Sequence, residues 1–366
     1  MGHADLRRNK QLEFLASGND IEAGDASLLP ISLPELLEVN ECSPCVEKRI
    51  GSGLTADVFM LAAGGRRWNL KKKRAEILVK NADGQTSFLN EVQRRRDFEM
   101  LKKKNASAYG GVVDTAYASL KHGIIVSPWI EGAPVKIYTP EIISDLFNTL
   151  FHIETAGLFE YDLCPGNILV QKDRTVKLFD FGYMYPFSPL SEYNADGMEL
   201  PLFHPVERFE TRSFMQYLMD IEDEKDRAAA LEEYRMEKEL ALEYYRRSLS
   251  WLRSNGADQA IINWKSDIVE LWGKGLKNTA ELENLYALES LRSYILDIHD
   301  DVGGRSCTAE TLKKADRVIS AFESGGAVLS SVPALSWGDE NSGRAELIHK
   351  YRRLREKAVE YQISGR

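Results

Sequence analysis

The sequence predicts an α+β chain in which a small β-rich lobe precedes a large helical one. Three observations carry this. Residues 46 to 70 and the stretches VVDTAYASL and HGIIVSPWI hold the apolar, β-branched runs of strands, punctuated by glycines. From about residue 209 the chain is dense in Glu, Lys, Arg, Ala and Leu, the composition of long helices. Between the two regimes, Glu131-Gly132-Ala133-Pro134 reads as a turn-rich hinge.

Each segment then has its own justification. Residues 1 to 45 are polar around one short apolar stretch, ISLPELLEV, and are expected to form a flexible arm with at most a turn or two of helix. Residues 46 to 131 make the first lobe, with strands in VEKRI, GSGLTADVFML and RWNL and a Gly64-Gly65 turn before the last. A helix is expected over 86–104, with Phe88, Leu89, Val92, Phe98 and Leu101 on its apolar face and Thr86 or Ser87 as its cap. Residues 132 to 366 make the second lobe, with helices over 209–254, 258–275, 279–298, 308–323 and 344–362 and one hairpin at 167–180. The loop SGGAVLSSVPALSWGDENSG sets the last helix apart.

Bulk composition narrows the function classes. The 366 residues are enough for two lobes with real cores. Fifty-six acidic against 47 basic residues leave a net charge of -9, which argues against nucleic acid as the partner. The basic residues nevertheless run together early, at Lys71 to Arg74, Arg94 to Arg96 and Lys102 to Lys104, so the first third is a candidate home for an anion. Four cysteines are too few for a disulfide framework, so a reducing, cytoplasmic setting is expected. Cys42-Ser-Pro-Cys45 has no second pair to complete a zinc site. No apolar run reaches the ~18 residues of a membrane span, and MGHADLRRNK lacks a signal-peptide core.

The chemistry concentrates in residues 158–182, LFEYDLCPGNILVQKDRTVKLFDFG. Asp162 and Asn167 stand five apart on a loop that Pro165-Gly166 forces to turn. The runs ILV and VKLF then form a hairpin that returns Asp180 towards Asn167. Carboxylate and amide oxygens suit Mg²⁺, which keeps waters and takes one or two protein carboxylates. Asp162 is left to orient an attacking hydroxyl or accept its proton. Upstream, Gly51-Ser52-Gly53 lets backbone N–H groups approach phosphate oxygens without a Cβ in the way. A lysine from Lys71-Lys72-Lys73 could reach back to the same phosphates, and Glu91 on the following helix could pair with it.

These stretches resemble the protein-kinase-like superfamily over about residues 46 to 182. EYDLCPGN resembles the catalytic loop H-R-D-L-x-x-x-N, and Asp180-Phe181-Gly182 the metal-binding motif. RIGSGLTADVF resembles the Gly-rich loop, with Ala56 at its third glycine position, and WNLK the strand carrying the phosphate-binding lysine. The resemblance implies a bilobal kinase-like fold that uses ATP and Mg²⁺. It makes Asp162 the catalytic base and Asn167 and Asp180 metal ligands. It puts Gly51, Ser52, Gly53 and Val58 over the nucleotide. Asn69-Leu70-Lys71 matches the family's A-I-K best, with Lys72 and Lys73 left open. IIVSPWIEG resembles the adenine-holding hinge, where Pro128 offers a carbonyl and Ile130 an N–H.

The sequence also departs from the pattern. Glu160-Tyr161 replaces the His-Arg before the aspartate, and Cys164 replaces the catalytic-loop lysine. No clear A-P-E follows Asp180; Glu207 in HPVERFE is the nearest candidate for its glutamate. The helices beyond 209 match no part of the family's pattern. The chain is therefore expected to be an atypical, bacterial or effector-like member. It would transfer the ATP γ-phosphate to a hydroxyl, on a protein in preference to a small molecule, with a partner protein as a possible activator. A sugar or other small-molecule kinase, a pseudokinase scaffold and a nucleotidyltransferase are the alternatives that the same pocket allows.

Overall fold

Strand alternation and a pair of glycines build the N-terminal sheet. The computed structural model describes residues 2–50, 55–77, 82–325, 339 and 342–363. In chain order, this part runs through α1 (His3–Ala16), β1 (Glu22–Gly24), α2 (Leu33–Glu38), β2 (Val46–Ile50), β3 (Ala56–Ala63), β4 (Arg66–Lys73), α3 (Ala82–Lys104), β5 (Tyr117–Ser119) and β6 (Ile124–Pro128). The six strands pair antiparallel throughout, in the order β1-β5-β6-β4-β3-β2. Gly64 and Gly65, at φ 59° and 71°, make the tight link from β3 to β4, where two successive positive φ values favour glycine. One face of the sheet buries Leu36, Phe59, Leu70 and Val126; the other buries Phe88, Leu89, Val92 and Ile125 from α3 and β6. Because side chains alternate along a strand, Leu70 serves the first face and Lys71 turns to the α3 face.

Smaller sheets follow. β7 (Gly132–Pro134), β9 (Ile168–Gln171) and β10 (Val176–Leu178) form a three-stranded sheet, with β8 (Leu158–Glu160) lying between β7 and β9 in the chain. β8 pairs with β11 (Met184–Pro186). The segment expected as a hinge is thus strand β7, paired with β9. Gly132 permits it, since a Cβ there would meet Val170 O at 2.9 Å.

Helix α4 (Pro140–Thr155) precedes β8. After β11 the chain is helical: α5 (Pro205–Phe209), a π-helical turn (Glu210–Phe214), α6 (Met215–Glu224), α7 (Arg227–Ser254), α8 (Gln259–Gly275), α9 (Thr279–Gly304), α10 (Ala309–Ser324) and α11 (Arg344–Glu360). Asp226 and Asn278 cap α7 and α9 by accepting from Ala229 N and Glu281 N. Asp226 also falls where the expected 209–254 helix breaks in two. Fully buried charge lies among these helices. Glu210 accepts from Lys238 and Arg292, and Lys238 also pairs with Glu289. Mutual neutralisation lets such groups sit away from water.

The class is α+β, an antiparallel sheet and then helices, as in the bilobal kinase-like fold. Packing separates two compact units. One comprises Met1–Val135, Asn148–Tyr161 and Gly166–Phe187; the other comprises Lys136–Phe147, Asp162–Pro165 and Ser188–Arg366. The units interleave along the chain, whereas the sequence suggested a single cut after residue 131.

Two further expectations are corrected. Residues 1–45 are no loose arm: α1 is a 14-residue helix and β1 is an edge strand, Glu22 opposite Ser119. Phe14 and Leu15 of α1 pack on the cluster around Phe88, Leu89 and Val92, and polar contacts fix the rest of the helix. Arg8 forks onto Asp83 through Nε and Nη2, and Gln11 bonds to Asn90 and Thr86. Thr86 is not the cap of α3, which is already helical at Ala82.

Candidate functional site

The first unit gathers one set of predicted residues around a buried lysine. Lys71 on β4 is 7% exposed, and its Nζ lies 2.5 Å from Glu91 Oε2 and 2.9 Å from Asp180 Oδ2. Burial by itself would discharge the ammonium. The charges of Asp180 and Glu91 outweigh that, and the Lys71 pKa is raised. Asp180, with 38% of its side chain exposed, is pushed up by its surroundings and pulled down further by Lys71 and Arg95, so its pKa is lowered. Both groups are therefore charged at neutral pH. Lys72 and Lys73 do not share this setting. Lys72 Nζ donates to the carbonyls of Leu37 and Val39, and Lys73 is exposed at the end of β4.

Glu91 is held from a second side. At 1% exposure it accepts from Arg95 Nη2 at 3.0 Å, one helical turn along α3. The Arg95 guanidinium sits 5.1 Å from the Phe181 ring centroid and donates to Ser127 Oγ at 3.3 Å. Phe181 also packs on Phe98 of α3, with centroids 4.9 Å apart. Asn90 completes the hold on this segment by donating to the carbonyls of Phe181, Gly182 and Met184. Asp180 itself has φ 64°, a left-handed conformation that costs a non-glycine residue energy and that these contacts enforce.

The 167–180 hairpin exists as β9 and β10, with Leu178 opposite Ile168. Phe179 N donates to Asn167 O at 3.3 Å, so the backbone before Asp180 lies against Asn167. Val58 on β3 is opposite Lys71 in the ladder, and Ile125 flanks Lys71 on the other side. Pro128 ends β6 opposite Trp68; Trp129 N donates to Arg67 O at 3.1 Å, and Ile130 follows, half-buried. Gly51, Ser52 and Gly53 lie outside the described residues.

In the second unit, Asp162 is half-buried. Its Oδ1 accepts from Arg212 Nε at 3.2 Å, and Cys164 Sγ stands 3.8 Å from Oδ2. Arg212 is bound in turn by Asp297 and, at 3.5 Å, by Asp301 on α9. Glu207 is fully buried and takes both arms of its neighbour Arg208, at 2.8 and 2.7 Å.

The sequence did not place Asn90, Arg95, Arg212, Asp297 or Asp301 beside the predicted residues. Asn90 and Arg95 stand beside Glu91 on α3, but Arg95 read as part of a charge run. Arg212 and Asp297 lie 50 and 135 positions beyond Asp162, too far for any local pattern. The other basic runs are also structural. Arg94 pairs with Asp97, and Lys102 Nζ reaches the carbonyls of Val112 and Val113 together with Asp114.

No protein-family model matches the chain. Among curated proteins it is similar to the serine/threonine-protein kinase greatwall of the dog, Canis lupus familiaris. The two are 26% identical over 184 residues, which is 46% of this chain and 19% of that protein. The chain thus matches about a fifth of the relative's length. This similarity supports a protein-kinase-like relationship over under half of the chain.

Proposed function

We propose that this protein is an ATP-dependent phosphotransferase that moves the γ-phosphate to a hydroxyl, on a protein acceptor. One observation carries the reading. A buried ammonium, Lys71, is aligned by Glu91 and set beside the half-exposed carboxylate of Asp180. A fixed cation next to an accessible hard-oxygen ligand suits a magnesium-bound polyphosphate. The left-handed backbone of Asp180 adds to this, because such strain clusters at active sites and ligand clamps. The similarity to a serine/threonine kinase supports the same class and favours a protein as acceptor.

The roles follow. Lys71 binds phosphate oxygens, and Glu91 with Arg95 holds Lys71 in place. Asp180 and Asn167 would hold Mg²⁺, which neutralises phosphate charge when bound. Val58 covers the nucleotide. The Pro128 carbonyl and the Ile130 N–H meet the adenine. The acceptor oxygen bonds to the γ-phosphorus, the bond from that phosphorus to the β,γ-bridging oxygen breaks, and ADP leaves. The hydroxyl proton passes to the Asp162 carboxylate.

The test is incubation of the purified chain with γ-labelled ATP, Mg²⁺ and protein and small-molecule acceptors, followed by mass spectrometry of labelled products. Labelled phosphate on a protein hydroxyl is expected. Label transferred only from α-labelled ATP, or no transfer at all, would overturn the reading.

A further inference from the structure

We infer that Arg212, presented by the π-helical turn and anchored by Asp297 and Asp301, is the positioning residue for the Asp162 carboxylate. The inference rests on the phosphotransfer reading above. It begins with an irregularity of the backbone. Residues Glu210–Phe214 form a π-helical turn between α5 and α6. An inserted residue rotates everything after it by about 100° relative to an uninterrupted α-helix. Such turns recur at functional sites.

The neighbours of Arg212 in this turn are used internally. Glu210 meets Lys238 and Arg292, Thr211 Oγ1 donates to Glu207, and Ser213 shares a hydrogen bond with Tyr138. Arg212 is the side chain that the turn directs to Asp162.

The far side of its guanidinium is fixed. Nη1 meets Asp297 and Asp301, one helical turn apart on α9. Those carboxylates are themselves held from α10, Asp297 by Lys314 and Asp301 by Thr311 Oγ1. A guanidinium is planar, so fixing Nη1 also fixes the direction in which Nε points. Nε is the donor that meets Asp162 Oδ1 at 3.2 Å. The loop Asp162-Leu-Cys-Pro-Gly-Asn167 contains no lysine or arginine of its own. Arg212 therefore brings a cation to the base from the π-helical turn, fixed there by α9 and α10, and tethering one oxygen limits the carboxylate's rotation. These are the helices that match no part of the kinase pattern. Their use is to hold the base.

A purely structural ion pair would weaken folding without favouring the chemical step. Turnover and Mg-ATP affinity, measured in a double-mutant cycle, separate the two. The variants are Arg212→Gln, Arg212→Lys, Asp162→Asn and the Arg212→Gln/Asp162→Asn double. Arg212→Gln should lower kcat about 10- to 100-fold, the scale of a misplaced catalytic group. Its Mg-ATP affinity should stay within about twofold, because a residue that acts through the base does not bind nucleotide. Arg212→Lys should recover part of kcat. In the Asp162→Asn background, Arg212→Gln should change the residual rate less than about twofold, since its effect passes through that carboxylate. If Arg212→Gln does not fold, Asp297→Asn replaces it in the same cycle, with a smaller loss expected. Equal losses in both backgrounds, or an unchanged kcat, overturn the inference. A parent that transfers no phosphate overturns the phosphotransfer reading and this inference with it. An active parent with an additive cycle overturns this inference alone.

Discussion

Glu91→Ala and Lys71→Met remove opposite ends of one buried ion pair, and the structure gives them unequal costs. Removing Glu91 strands two cations, Lys71 and Arg95, both nearly buried. Breaking a buried pair from one side costs about 3–5 kcal/mol. Lys71 keeps Asp180 at 2.9 Å and Arg95 keeps Ser127 Oγ at 3.3 Å, which points to the low end, about 3 kcal/mol. Lys71→Met is gentler. The thioether fills the channel of the aliphatic stem, Glu91 keeps Arg95, and the half-exposed Asp180 takes up water. Removing one partner of a buried pair is costly even when the replacement is apolar, but Glu91 retains a cation, so a loss of about 1–2 kcal/mol, below that of Glu91→Ala, is expected. Both variants should lose phosphotransfer. Hydrogen exchange of the β3 and β4 amides across a urea series, alongside turnover, measures both quantities. A Lys71→Met protein as destabilised as Glu91→Ala would show that the ammonium is there for stability, and the reasoning would fail.

Asp180→Ala should abolish the magnesium-dependent part of the thermal stabilisation by ATP while leaving the unliganded melting temperature little changed; a metal-dependent shift equal to the parent's refutes Asp180 as a ligand. Glu237 is fully buried, with Lys238 Nζ 3.6 Å from its Oε2, and burial outweighs that cation and raises its pKa to about 7. Its folded pKa lies above the unfolded value, so the native state binds the extra proton and stability falls as pH rises from about 4.5 to 7. Glu237→Gln should therefore gain on the parent in chemical denaturation at pH 8 and not at pH 5; a gain of equal size at both contradicts the assignment. Phosphatase treatment of the purified protein should leave turnover unchanged; a steep drop restored by phosphate on Tyr183, Tyr185, Ser188, Ser191 or Tyr193 would refute this.

How much could be read in advance depended on how local each interaction is. The Gly64-Gly65 turn, the 167–180 hairpin and the helix segments after 209 rest on chemistry within a few residues, and the sequence alone suggested them. Which of three consecutive lysines faces α3 was open from composition; strand alternation against Leu70 excludes Lys72, and Lys73 lies exposed at the end of the strand. The order of residues 2–45 was not legible because their partners are distant: Arg8, Gln11 and Glu22 bond to residues 75 to 95 positions away, and Ile21, Ala23, Leu36 and Val39 are buried against the sheet. The hinge became strand β7 because Gly132 fits against a partner strand that arrives only at Ile168–Gln171. The same limit hid Arg212. Its meaning depends on Asp162, Asp297 and Asp301, which meet only when the helices pack.

Tyr161 stands before Asp162 where the kinase pattern has an arginine. A phosphate that orders a segment needs a guanidinium with bonds to spare. Arg208 has both arms on Glu207 and a further contact to Asp300, and Arg212 is spread over Asp162, Asp297 and Asp301. Recruiting either to a phosphate would strand carboxylates that are now paired, Glu207 fully buried among them. The candidate acceptors are themselves engaged. Tyr185 is buried under the Arg7 guanidinium, 3.9 Å from its ring centroid, with its hydroxyl near Asp83. Tyr193 packs against Trp264 with the rings tilted, centroids 4.9 Å apart. Ser188 N donates to the Glu192 carboxylate, so a phosphate on Ser188 would be added beside an existing negative charge. Order after Asp180 comes instead from neutral and aromatic contacts, the Asn90 amide on three carbonyls and Phe181 packed between Phe98 and Arg95. Those contacts are made by α3, the helix that also carries Glu91, so the same rigid element sets both the lysine and the metal-ligand candidate without a phosphate.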